Sequence, residues 1–160
     1  LAITVTSTVP QAKRDEDYPA PKDVPSPPLV GKWGVLSYYV PTGLIHPDDV
    51  GQYLSCPQRG EELFQCVAEG GGFVRVQNDV GLSVRVNPHR FIWIPAPRFQ
   101  IGEPVRTRVG TSRVGWVARR CWHFKDEVVY YLIDVPSASQ GRRHHTRRYL
   151  EQDLEFSSDG

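Results

Sequence analysis

Arg113-Val-Gly-Trp-Val-Ala-Arg-Arg-Cys-Trp-His-Phe124, Lys125-Asp-Glu127 and Val128-Val-Tyr-Tyr-Leu-Ile-Asp-Val135 form the stretch whose reading decides the fold. Two runs rich in β-branched and aromatic residues, joined by a short charged turn, predict an antiparallel hairpin. Working outward, Ile101-Gly-Glu-Pro104 leads into a strand at Val105 to Val109. After the hairpin, a loop of Pro, Ser, Ala and Gly residues ends at Gly141. Thr146-Arg-Arg-Tyr-Leu150 then gives a last strand before a tight turn and the closing segment Leu154-Glu-Phe156.

The chain has 160 residues, enough for one ordinary domain or two very small ones. Fourteen Pro and fourteen Gly, together with the valine and aromatic content, favour short strands and turns over helices. No apolar run approaches the roughly 18 residues that would span a bilayer, so a membrane is not an expected partner. Cys56, Cys66 and Cys121 cannot all pair and form no CxxC, which argues against a disulfide framework and for a reducing, cytoplasmic setting. The formal net charge of +1 conceals a division: residues 98–148 carry 11 Lys/Arg against 4 Asp/Glu, and the segment from Tyr149 onward carries none against 4. A basic second half with an acidic tail suits either phosphate or an acidic protein face.

Taken in order, Leu1 to Val9 reads as a docked edge strand or arm, or as an adventitious end. Gln11 to Pro28, with the charge run Lys13 to Asp17 and five prolines, reads as an extended linker. Lys32 to Val40 begins as a strand. Ile45 to Leu54 is the one helical turn, with Pro47 suited to its first position, Asp48 and Asp49 to its positive end, and Val50, Tyr53 and Leu54 sharing a face. Strands are predicted at Leu63–Ala68, Phe73–Gln77 and Leu82–Val86, separated by the turns Glu69–Gly72 and Asn78–Gly81. Asn87-Pro-His-Arg90 then bends the chain into Phe91-Ile-Trp-Ile94.

The two halves match in plan. Each ends with a basic strand, a polar turn and an apolar closing segment, and Pro95-Ala-Pro97 links them tightly. The expected class is therefore mainly β: two tandem small SH3-like barrels with one short helix, preceded by a Pro-rich N-terminal arm. The boundaries are 1–28 for the arm, 29–97 for the first module and 98–160 for the second with its acidic tail. One continuous β-rich domain is the alternative, because a barrel of about 60 residues is marginal alone. The motifs Val114-Gly-Trp-Val117, Trp122-His-Phe124, Tyr130-Tyr-Leu132, Arg147-Arg-Tyr149 and Asp153-Leu-Glu155, with Leu44 to Val50 and Asn87 to Phe91 before them, resemble small bacterial proteins built from SH3-like modules. That resemblance implies a fold and, by analogy with immunity partners of secreted toxins, a binding role.

Catalytic signatures are missing from the sequence: there is no GxSxG, no HExxH and no phosphate loop at Gly70-Gly-Gly72. Asp48-Asp49 and Glu61-Glu62 are sequence neighbours, which rarely face each other across a scissile bond. Cys121 and His123 lie two apart on a strand, hence on one face, and read as a core thiol beside a surface imidazole. No metal ligand set and no cofactor is expected. The expected function is that of a non-enzymatic protein-binding module, a bacterial immunity or accessory protein, acting through Arg119, Arg120, Trp122, His123, Arg142, Arg143, Arg147, Arg148 and Tyr149. The arginines would pair with an acidic partner, and Trp122 and Tyr149 would anchor in its pocket. A nucleic-acid binder using the same basic face on phosphates is the alternative.

Overall fold

The computed structural model describes residues 23–37, 40–41, 43–56, 60–136 and 147–158. The expected N-terminal strand, most of the Pro-rich linker, and Arg142 and Arg143 lie outside the described residues. Among the described residues ten strands run in chain order: β1 (Trp33–Val35), β2 (Leu63–Gly70), β3 (Phe73–Asn78), β4 (Ser83–Val86), β5 (Ile92–Ile94), β6 (Pro104–Thr107), β7 (Val114–His123), β8 (Val128–Asp134), β9 (Arg148–Leu150) and β10 (Leu154–Phe156). The helix α1 (Val50–Ser55) follows a 3-10 turn at Pro47–Asp49, and a second 3-10 turn, Glu151–Asp153, separates β9 from β10.

The fold is mainly β, as expected. Two five-stranded sheets form, ordered β4-β3-β2-β1-β5 and β10-β6-β7-β8-β9, with every pairing antiparallel. In both, three hairpin-connected strands follow the first, and the fifth returns to the first strand's free side. Among the described residues no ladder joins the outer strands of either sheet, so neither closes as a barrel. One reason is local: the free side of β4 is taken by the segment before the helix, through the bridge Ile45–Val86 and the bonds from His46 N to Arg85 O and Asn87 N to Leu44 O. The outer strands β5, β9 and β10 are also only three residues each.

The helical segment forms where the sequence places it. Pro47 opens the 3-10 turn, the His46 Nδ1 accepts from Asp48 N at 3.3 Å, and Tyr53 is buried with its hydroxyl donating to Ser37 O. Leu54, expected on the same face, points outward instead. Asp49 accepts three bonds from Arg85 of β4, from its backbone N at 2.7 Å, its Nε at 2.9 Å and its Nη2 at 2.7 Å, fixing the helix on the sheet.

Strand alternation explains how the halves join. On β1, Gly34 faces the first core with Phe91, Trp93 and Phe64, while Trp33 and Val35 point the other way. Together with Leu63 and Ile92, those two side chains complete a second core whose other wall is Phe99, Val105, Val117, Trp122, Val129, Tyr131, Ile133, Tyr149 and Leu154. The middle of the first sheet is thus buried on both faces. A second half separated from the first would lose four large apolar side chains from its core, each worth about 1.5–3 kcal/mol when fully buried. Glycine is required at position 34, because a Cβ there would lie 2.2 Å from the Phe91 ring and 2.6 Å from the Ile92 carbonyl oxygen. The link between halves is anchored by the Tyr131 hydroxyl, which accepts from Arg98 N at 3.0 Å.

Candidate interaction face on the second sheet

The hairpin β7–β8 supplies this face, and a bulge decides what it displays. Trp116 pairs with Asp134 and Val117 with Ile133, but Arg119 pairs with Leu132, so Ala118 is an extra residue. Paired residues share a face, and residues two apart on β8 do as well. Trp116, Arg119, Cys121 and His123 therefore lie on one side with Asp134, Leu132, Tyr130 and Val128. Val117, Arg120 and Trp122 lie on the other. Simple alternation from Trp116 would have grouped it with Arg120 and Trp122.

This alternation divides the residues predicted as a binding surface. Trp122 and Tyr149 are buried in the second core, where they support the fold from within and present no projecting anchor. Arg120 is buried as well, at 4 % exposure. Its Nε donates to Asp79 Oδ2 at 3.0 Å, its Nη2 to Asp79 Oδ1, and its Nη1 to Gln100 Oε1 at 2.8 Å, and its guanidinium lies 4.5 Å from the Trp33 ring centroid. It bolts the second sheet to the β3–β4 turn of the first. Arg119, His123, Arg147 and Arg148 remain at the surface.

On the outer side the face abuts the start of β2. Trp122 N donates to Glu61 O at 2.9 Å, and an isolated bridge pairs Glu62 with Cys121. Arg119 Nη2 donates to Glu62 Oε1 at 2.6 Å, and the Tyr130 hydroxyl donates to Glu61 Oε2, also at 2.6 Å. The Arg148 guanidinium stacks 4.8 Å from the Tyr130 ring centroid, and His123 approaches the same ring edgewise at 6.3 Å. His123 is itself held by the turn, with its Nδ1 3.0 Å from Asp126 Oδ2 and accepting from Asp126 N. Arg147 stacks instead on Tyr149, at 5.3 Å.

Burial sets the electrostatics. It pushes the Glu62 carboxyl up from its ordinary value, with Arg119 opposing the shift. The Cys121 thiol and the Tyr130 phenol are pushed up by burial too, and the bond to Glu61 raises Tyr130 further. At neutral pH both are protonated, so this corner offers hydrogen bonds and guanidinium charge. Among the described residues no group of three His, Cys, Asp or Glu side chains gathers as a metal site would need, and no helix is long and apolar enough to cross a membrane.

Three features of the face are not among the predicted site residues, although the sequence offers Trp116 and Tyr130 among the aromatic residues interleaved with arginines. Glu61 and Glu62 reach it from the other half, which no local pattern signals. Tyr130 forms its floor. Trp116, 46 % exposed, is its large apolar projection, and only the bulge puts it beside Arg119. Phe156, 54 % exposed and packed on Phe99 at 4.8 Å beneath Arg98, pairs with the buried Val105 and so belongs to the other side of the sheet.

No curated protein and no solved structure matches the chain. Residues 28–155 match a family of unknown function, DUF6960, and the chain belongs to that family.

Proposed function

We propose that this is a non-enzymatic protein-binding module that docks through the outer face of its second sheet, in the manner of a bacterial immunity or accessory protein. The observation that carries the reading is Trp116, 46 % exposed on the middle strand of the second sheet, on the same side as Arg119 beyond the bulge. A tryptophan and arginines at the surface are the residue types that dominate binding hot spots. The strand order of each half, with the fifth strand beside the first and a 3-10 turn before the last strand of the second, supports an SH3-like reading of both. Three free cysteines, two of them buried, favour a reducing cytoplasmic setting.

The phosphate-binding alternative is weakened by where the arginine charge goes. Arg108 is paired with Glu155, Arg119 with Glu62 and Arg120 with Asp79, so three of the eleven basic residues between positions 98 and 148 are already neutralised within the chain. The deciding experiment is purification from the native cells at moderate salt, with nuclease treatment in parallel. A stoichiometric protein that survives nuclease and is released by Trp116→Ala is the expected result. Nucleic acid alone, lost on digestion or as salt rises, would overturn the proposal.

A further inference from the structure

Arg148 differs from the paired arginines. It is exposed on β9, and no carboxylate among the described residues forms an ion pair with it. Its guanidinium nonetheless has a partner, lying over the Tyr130 ring 4.8 Å from its centroid, and the Tyr130 hydroxyl is itself fixed by Glu61. A stacked guanidinium keeps its in-plane N–H groups free, and little rotamer freedom is left to lose when they bind a carboxylate.

Its neighbours complete a recognition pattern. Arg119, Leu132 and Arg148 sit directly opposite one another across β7, β8 and β9, and Trp116 with Asp134 occupies the next row. With strands about 4.8 Å apart, the two arginines stand about 10 Å from each other across a half-buried leucine. Carboxylates are interspersed on or beside the same face: Asp134 and Glu61 are exposed, and Asp126 flanks His123. A continuous polyanion laid across it would meet these like charges, whereas one carboxylate seated on Arg148 would avoid them.

We infer that the partner engages this face through an acidic segment of another protein, seating an Asp or Glu on Arg148 and an apolar side chain against Trp116 and Leu132. This rests on the protein-binding function proposed above and specifies its partner.

The test is selection of random dodecapeptides displayed on phage, run against the full chain, Arg148→Glu and Trp116→Ala. Both side chains are exposed, and thermal melts matching the parent verify that the variants fold. The parent is expected to enrich peptides with Asp or Glu near an aromatic or aliphatic residue. Arg148→Glu should turn the charge preference toward Lys and Arg, and Trp116→Ala should lose the apolar preference. The best-enriched synthetic peptide should bind Arg148→Ala about tenfold or more weakly than the parent. No enrichment, enrichment without an acidic bias, or the same peptides from Arg148→Glu would overturn the inference. A co-purifying protein that depends on Trp116 but not on Arg148 would sink this inference while leaving the binding function standing; nucleic acid alone would remove both.

Discussion

Replacing Arg120 by Met tests how much one buried cation adds to the joint between the two sheets. The substitution keeps much of the apolar stem but removes two charge-assisted bonds to Asp79, one bond to Gln100 and the stack on Trp33. Breaking one partner of a buried pair costs about 3–5 kcal/mol, because the surviving charge is left without compensation. The Asp79 side chain retains 24 % exposure, so water relieves part of that penalty and the lower end, about 3 kcal/mol, applies. For a chain of this size the melting temperature should fall by about 6–12 °C. Urea titration followed by tryptophan fluorescence suits the assay, since Trp33 lies directly under the guanidinium. The double variant Arg120→Met with Asp79→Leu removes both charges and should recover most of the loss, as apolar replacements of buried pairs commonly do. A single variant within about 1 kcal/mol of the parent, or a double variant no better than the single, would refute this account of the joint.

Two further outcomes follow from particular contacts. Hydrogen bonds from Arg85 hold the Asp49 carboxyl down at about 2, below its unfolded value, so its contribution is present above the ordinary carboxylate range and disappears as pH falls through about 2. Asp49→Asn should therefore lower the melting temperature at pH 7, with the gap to the parent closing on acidification; a gap independent of pH would show that the charge is irrelevant. Gly34→Ala drives a methyl group into the Phe91 ring and the Ile92 carbonyl and should cost about 3 kcal/mol or more, read as lost soluble yield or a lowered urea midpoint. A parent-like midpoint would mean that β1 and β5 can separate at no cost.

Much of the β architecture was legible because the relevant signals are local. The hairpin of β7 and β8 carries its own β-branched and aromatic runs and its own polar turn, and the structure places that turn at residues 124–127. The β2–β3 turn is equally direct: Gly71 and Gly72 both adopt positive φ, which glycine tolerates without a side-chain penalty. Pro47 likewise marks the start of the segment that carries the one α-helix among the described residues. The candidate face was legible in kind and misread in membership. Arg119 and Arg120 look equivalent in the sequence, yet one lies on the surface against Glu62 and the other is buried against Asp79.

By itself, then, the sequence determined the mainly-β class, the two matching sets of strands, the positions of the turns and the basic character of the second half. These depend on propensity, periodicity and composition, which act over a few residues. Only the tertiary structure decided which aromatic residues face solvent, which arginines are already neutralised, and that the first sheet is buried on both sides. An extra residue at Ala118 reverses the facing of everything after it on β7, and the carboxylates of Glu61, Glu62 and Asp79 reach the second sheet from strands and turns some forty to seventy positions away. Such encounters are set by how two sheets pack, and packing depends on shape and burial across the whole chain, which no local run of residues encodes.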